Sequence, residues 1–157
     1  MQQVFSILIS FGLSIVVWAG ETISEGQLAK GTKWETPFYV RVNGQDGPTV
    51  VITGGIHGNE PAGARAAEQI RHWPITCGRL VVIPQANIPG LRDGTRFLPG
   101  EPPSRRDLNR QFPKTKMAAE AHGVLGKALW KFIGDQNPDW MIDLHEGYDF
   151  RQINSKS

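Results

Sequence analysis

The chain has 157 residues, 39% of them hydrophobic and 20% charged, with a formal net charge of +2. That is one domain at most, long enough to bury a core. Its longest basic run is the pair Arg105-Arg106, which excludes an electrostatic case for nucleic-acid binding, and a single cysteine excludes an intrachain disulfide.

Val4 to Ala19 is apolar apart from scattered Ser and Gly, and no charge occurs before Glu21. The stretch is short for a membrane span and suits the hydrophobic region of a signal peptide, with Val17 and Ala19 fitting a small-residue cleavage pattern. The segment Met1-Gln2-Gln3 lacks the usual Lys or Arg, so an uncleaved N-terminal anchor is the alternative. Either reading predicts export to a periplasmic or extracellular site. It places residues 1–19 outside the fold and leaves no stable membrane span after cleavage.

Residues 20–36 form a polar segment that reads as a tether or an entry loop, and the domain proper is expected over residues 37–157. Phe38 to Val42 is β-like, and Asn43 to Pro48 is dense in turn formers. Thr49 to Thr53 reads as a buried strand leading through Gly54-Gly55 into Ile56-His57-Gly58-Asn59-Glu60-Pro61. Pro61 is a good first helical position, and Ala66, Ala67 and Ile70 continue a helix over 62–73. Cys77, just ahead of the next apolar run, reads as a small buried hydrophobe.

Arg79 to Pro84 is a second buried strand, Lys116 to Ile133 an amphipathic helix, and Asp139 to Leu144 a third strand ending in His145. Strands alternating with helices predict an α/β fold, a sandwich around a mixed, largely parallel central sheet. Between Pro84 and Pro113 lies a long segment without clear periodicity, punctuated by Pro89, Gly90, Gly94, Pro99, Gly100, Pro102 and Pro103. A loop of that length in a compact domain is usually functional or disordered.

Its contents favour function. His57 and Glu60 lie three apart at a strand-to-helix junction, where both side chains can aim at one point, and open α/β sheets place ligands there. His145 ends the third strand and emerges at the same sheet edge. His, Glu and His form a common ligand set for a catalytic zinc that keeps a fourth position open. Asp143, two residues before His145, or Asp107 can hold a ligand histidine through its second ring nitrogen. Arg96 and the pair Asn109-Arg110, all in the long segment, offer a guanidinium fork and an amide to a carboxylate-bearing substrate. His72 and His122 have no suitably spaced partner.

Gly54-Gly55-Ile56-His57-Gly58-Asn59-Glu60, Gly94-Thr95-Arg96, Asp107-Leu108-Asn109-Arg110-Gln111-Phe112-Pro113 and Asp143-Leu144-His145 together resemble the zinc carboxypeptidase superfamily. Within it the chain most resembles the succinylglutamate desuccinylase/aspartoacylase family. The resemblance implies a zinc-carboxypeptidase-like α/β/α sandwich binding one Zn2+ through His57, Glu60 and His145. It implies that Asn109 and Arg110 hold the substrate carboxylate, that Arg96 steadies the scissile carbonyl and its oxyanion, and that Asp107 supports His57. The implied chemistry is zinc-assisted hydrolysis of an amide, possible also for an ester, in a small acyl-amino acid or peptide. In the family the general base is a glutamate well after the third ligand, whereas this chain ends twelve residues beyond His145. It is therefore expected to be the N-terminal part of a longer deacylase. The alternatives are a carboxypeptidase acting on peptides or cell-wall stems, and a non-catalytic metal- or carboxylate-binding fragment.

Overall fold

Val50, Ile52, Leu80 and Val82 face one side of a central sheet, and Val51 and Val81 face the other, as alternation along strands requires. The computed structural model describes residues 5–9, 13–18, 20–114 and 120–147, the first two segments as backbone alone. Its strands are β1 (Phe5–Ile9), β2 (Leu13–Trp18), β3 (Glu21–Leu28), β4 (Thr36–Asn43), β5 (Thr49–Gly54), β6 (Arg79–Ile83) and β7 (Trp140–Leu144). They form one sheet in the order β1-β2-β3-β4-β6-β5-β7. The sheet is mixed. Its parallel pairings join β5 to β6 and to β7, and the pairings from β1 through β4 to β6 are antiparallel.

Helix α1 (Pro61–Ile70) covers the Ile52 face, where Ala67 packs with Ile52, Leu80 and Val82. Small residues let it lie close: a Cβ at Gly54 would stand 2.6 Å from the Gly63 carbonyl oxygen. Helix α3 (Val124–Asp135) covers the opposite side, with Phe132 and Ile133 against Val40, Val51 and Val81. Three layers result, α/β/α.

The long segment after β6 is ordered by the core rather than by periodicity. It carries a short helix α2 (Ile88–Asp93), started by the Asn87 side chain accepting from Gly90 N–H at 3.0 Å. It ends in a 3-10 turn over Leu108–Arg110. Ala86, Leu98 and Leu108 are buried in the largest apolar cluster, with Trp34, Ile83, Leu125 and Leu129.

Several expectations need correction. Residues 21–28 are not a tether but strand β3, paired along its whole length with β4 from Glu21↔Asn43 to Leu28↔Thr36. The backbone pairing does not need apolar side chains, and Thr22, Glu25 and Gln27 are exposed while Leu28 is buried. Cys77 is exposed, because it sits in the turn before β6 with its sulfur against Gly47. Helix α3 begins at Val124, after Gly123 at φ +65°; residues 116–119 of the expected helix lie outside the described residues, as do parts of the expected leader. Residues 5–9 and 13–18, expected to lie outside the fold, form β1 and β2 at one end of the sheet. Among the described residues, no helix is long and apolar enough to cross a membrane.

Candidate metal centre

At its carboxyl end β5 meets Gly55, whose φ of +69° swings the chain over the sheet edge. The Gly54 and Gly55 carbonyls accept from Ala86 and Asn87 N–H at 2.9 and 3.0 Å, fixing this exit against the one from β6. Gly58 lies so close to Gly90 of α2 that a Cβ there would run into the Gly90 backbone. Glu60 N–H closes the turn onto the His57 carbonyl at 3.2 Å. His57 and Glu60 are thereby buried, 2% and 5% exposed.

His145 arrives from β7, directly beyond the parallel pair Gly54↔Leu144. Its Nδ1 is 2.7 Å from Glu60 Oε2, and His57 Nδ1 is 2.8 Å from Glu60 Oε1. The two rings stand 5.0 Å apart between centroids. The candidate ligand atoms of His57, Glu60 and His145 all lie within 4.8 Å of one another.

The outer ring nitrogens are held as well. His57 Nε2 lies 3.3 Å from Asp107 Oδ1, and His145 Nε2 lies 2.7 Å from Asp143 Oδ2. A carboxylate on Nε2 fixes each ring and leaves Nδ1 facing the centre, the arrangement that orients metal-binding histidines. Two imidazoles and one carboxylate at this spacing fit zinc with a position to spare.

Burial alone would push the Glu60 carboxyl up. Hydrogen bonds from His145 and the Glu146 N–H, with the nearby His57, outweigh it and hold that carboxyl below the usual range. Burial would push His145 down, but its bond to Glu60 and the charge of Asp143 hold the imidazole above its ordinary value. Without a metal, then, the cluster keeps an anionic carboxylate between two imidazoles.

Arg96 Nη1 donates to Glu60 Oε1 at 2.8 Å, which brings it into the same network. Asp107 does two things: it meets His57 and accepts from Asn109 N–H at 3.0 Å, starting the 3-10 turn. The turn that carries Asn109 and Arg110 is thus tied to a candidate ligand histidine. Arg110 is exposed, and its Nη1 donates to the Asn109 carbonyl at 3.2 Å.

Two contributors escaped the sequence reading. Thr53, 1% exposed, donates from Oγ1 to Asp143 Oδ1 at 2.6 Å. Its signal is the register Thr53↔Asp143, visible only once β5 and β7 are paired. Glu146 turns its carboxylate to Ala62 N–H at 3.0 Å, supplying the N-terminal cap that α1 lacks from its own side chains. Residues so far apart in sequence leave no spacing signal.

Residues 46–154 match the family described as the succinylglutamate desuccinylase/aspartoacylase catalytic domain. The chain is similar to the N-alpha-acetyl-L-2,4-diaminobutyric acid deacetylase of Halomonas elongata, at 34% identity over 65% of this chain and 29% of that protein. It is similar to the crystal structure of a succinylglutamate desuccinylase/aspartoacylase from Rhodobacter sphaeroides, at 28% identity and a TM-score of 0.57, covering 78% of this chain and 38% of the other. It also resembles the product-bound ectoine utilization protein EutE (DoeB) from Ruegeria pomeroyi, at 26% identity and a TM-score of 0.61, over 87% of this chain and 43% of that one. The chain spans under a third of the curated relative's length and under half of either structure.

Proposed function

The chain belongs to the succinylglutamate desuccinylase/aspartoacylase family, and from that premise we propose that it carries the zinc-binding half of a hydrolase that removes an acyl group from an amino acid. The observation that carries this is the convergence of His57, Glu60 and His145 on one point, each histidine braced from behind by an aspartate. The deacetylase activity named for the Halomonas relative supports deacylation over peptide trimming.

Zinc held there would supply Lewis acidity toward a carbonyl and toward water near neutral pH. The protein's own groups do the rest. Asp107 and Asp143 keep the two rings in the tautomer that presents Nδ1. Arg96, already at the cluster through Glu60, is the group to stabilise charge developing on the carbonyl oxygen. Asn109 and Arg110 are assigned to the substrate carboxylate. Binding there would draw the Arg110 guanidinium off the Asn109 carbonyl it now meets. Glu146 is not our candidate general base, because its carboxylate is engaged at the start of α1.

We place the start of the hydrolase domain at β3 rather than at residue 37, because Glu21–Leu28 pairs along its length with β4, and we read residues 1–19 as a leader. Cleavage after Ala19 would remove β1 and β2 and leave β3 to β7. N-terminal sequencing of the exported product checks it.

The test is to express the longest protein that the surrounding reading frame encodes, measure bound zinc, and assay hydrolysis of N-acyl amino acids and short peptides beside His57→Ala. One zinc per chain, with deacylation lost in the variant, is expected. A folded chain that takes up no zinc would overturn the reading. Zinc with peptide trimming but no deacylation would move it to the carboxypeptidase alternative.

A further inference from the structure

Gln111 ends the 3-10 turn that carries Asn109 and Arg110, and it is buried, 3% exposed. A buried glutamine amide needs partners on both its nitrogen and its oxygen. Gln111 Nε2 has one, donating to the Arg105 carbonyl at 2.6 Å. Its Oε1 is buried and, among the described residues, accepts no hydrogen bond. That oxygen stands against the start of α3: a Cβ built at Gly123 or at Gly126 would lie 2.6 Å from it. The two glycines leave the room that the amide fills, and α3 has no N-terminal cap from a side chain.

The backbone tightens the same grip. Gln111 N–H donates to the Leu108 carbonyl at 3.0 Å, and the Gln111 carbonyl accepts from His122 N–H at 2.8 Å. Next to Arg105, the Arg106 carbonyl accepts from Leu98 N–H at 2.7 Å, two residues after Arg96. Gln111 therefore gathers three pieces: the stretch leading to Asp107, the turn bearing Asn109 and Arg110, and the start of α3. Arg110 bonds locally, to the Asn109 carbonyl, so the backbone of the turn decides where its guanidinium stands.

A buried amide with an unfilled acceptor costs stability, and an apolar side chain of the same size would fill this space without that cost. We infer that Gln111 is a positioning residue, which sets the turn so that Asn109 and Arg110 meet the substrate carboxylate. The inference rests on the assignment of that pair under the hydrolase reading above. Gln111 touches neither the candidate metal ligands nor the scissile bond in this role. It acts on how well the carboxylate is held.

The test uses the longest protein that the surrounding reading frame encodes, loaded with zinc. Two probes are compared by calorimetry: an N-acetyl amino acid, and the same compound with its carboxylate converted to a carboxamide. Hydrogen bonds to a charged group are worth roughly 10- to 100-fold, so the unaltered protein should favour the carboxylate by about that factor. Gln111→Met keeps the volume, removes both polar atoms of the amide, and should bring the preference to within about twofold of the Arg110→Ala value. The double variant should lose no more than Arg110→Ala alone, because both changes remove one contact. Gly126→Ala reaches the same amide from α3, where alanine otherwise favours the helix, and should lower the preference as well, so the test stands even if Gln111→Met fails to fold. Val81→Ala opens a core cluster that excludes the turn, and should lower the unfolding midpoint with the preference unchanged. Full preference in Gln111→Met or Gly126→Ala, a double variant that loses more than Arg110→Ala, or an equal loss in Val81→Ala would each overturn the inference. Equal binding of both probes by the unaltered protein would remove the Asn109-Arg110 assignment and this inference with it. Zinc content and the His57→Ala assay are read separately, so the hydrolase reading survives or falls on its own.

Discussion

The two histidines of the cluster share one pattern of hydrogen bonds but differ in how their backbone is supported. His57 sits in a turn closed by backbone contacts, 2% exposed, with Gly58 pressed on Gly90 and the β5 exit bonded to the β6 exit. His145 follows β7, which pairs with β5 on one side and is the sheet's edge among the described residues. Its Trp140, Met141 and Ile142 are 65%, 44% and 44% exposed. What steadies His145 is a relay of side chains, Thr53 to Asp143 to the ring, together with Glu60. Both rings are hydrogen-bonded at both nitrogens, but only His57 is also fixed by the packing of its own turn. The difference teaches that a metal here would fasten an otherwise lightly held strand to a fixed turn.

The strongest way to break the contrast is at its rigid side. Gly58→Ala forces a methyl into the Gly90 backbone and should cost about 3 kcal/mol of stability, read by urea unfolding, with zinc binding lost alongside. Asp143→Asn attacks the lighter side. It keeps the shape, removes the charge behind His145, and should weaken zinc affinity by about 10- to 100-fold with the unfolding midpoint little moved. Hydrogen exchange sharpens the comparison directly. Amides of β7 should exchange faster than those of β5 in the metal-free chain, and zinc should narrow the gap.

The metal-free cluster also carries a pH signature. His145 is raised in the folded state, so its contribution is full below the ordinary imidazole value and fades as pH climbs through the raised one. Glu60 is lowered, so its contribution is full above the ordinary carboxylate value and fades as pH falls through the depressed one. Together they put the best stability of the cluster between about pH 4.5 and 6.5, visible as a maximum in Tm against pH that His145→Ala flattens. The smallest effect belongs to Trp140→Ser on the exposed edge, expected within about 0.5 kcal/mol because little apolar contact is lost.

What was legible in the sequence follows the same divide. The runs Thr49–Thr53 and Arg79–Ile83 read as strands because buried strands are continuously apolar, and the helix after Pro61 read from its spacing. Strand β3 was missed because its polar outward residues hide a ladder that only its neighbour reveals. The long segment from Pro84 looked shapeless because Leu98 and Leu108 are ordered by the core they enter, not by any repeat. The candidate ligand residues could be picked out one by one. Thr53 behind Asp143 and Glu146 on α1 could not, since each acts through a neighbour that is distant in sequence.

Glu60 and His145 are 85 residues apart, and the contact between them closes only after β5, β6 and β7 have found one another. Non-local closures of this kind come late when a chain organises, since loop entropy must be overcome first. The three-ligand geometry is therefore a timer as well as a site. In a refolding experiment, the appearance of metal affinity should lag the burial of Val51 and Val81, and would mark the moment at which the last strand docks.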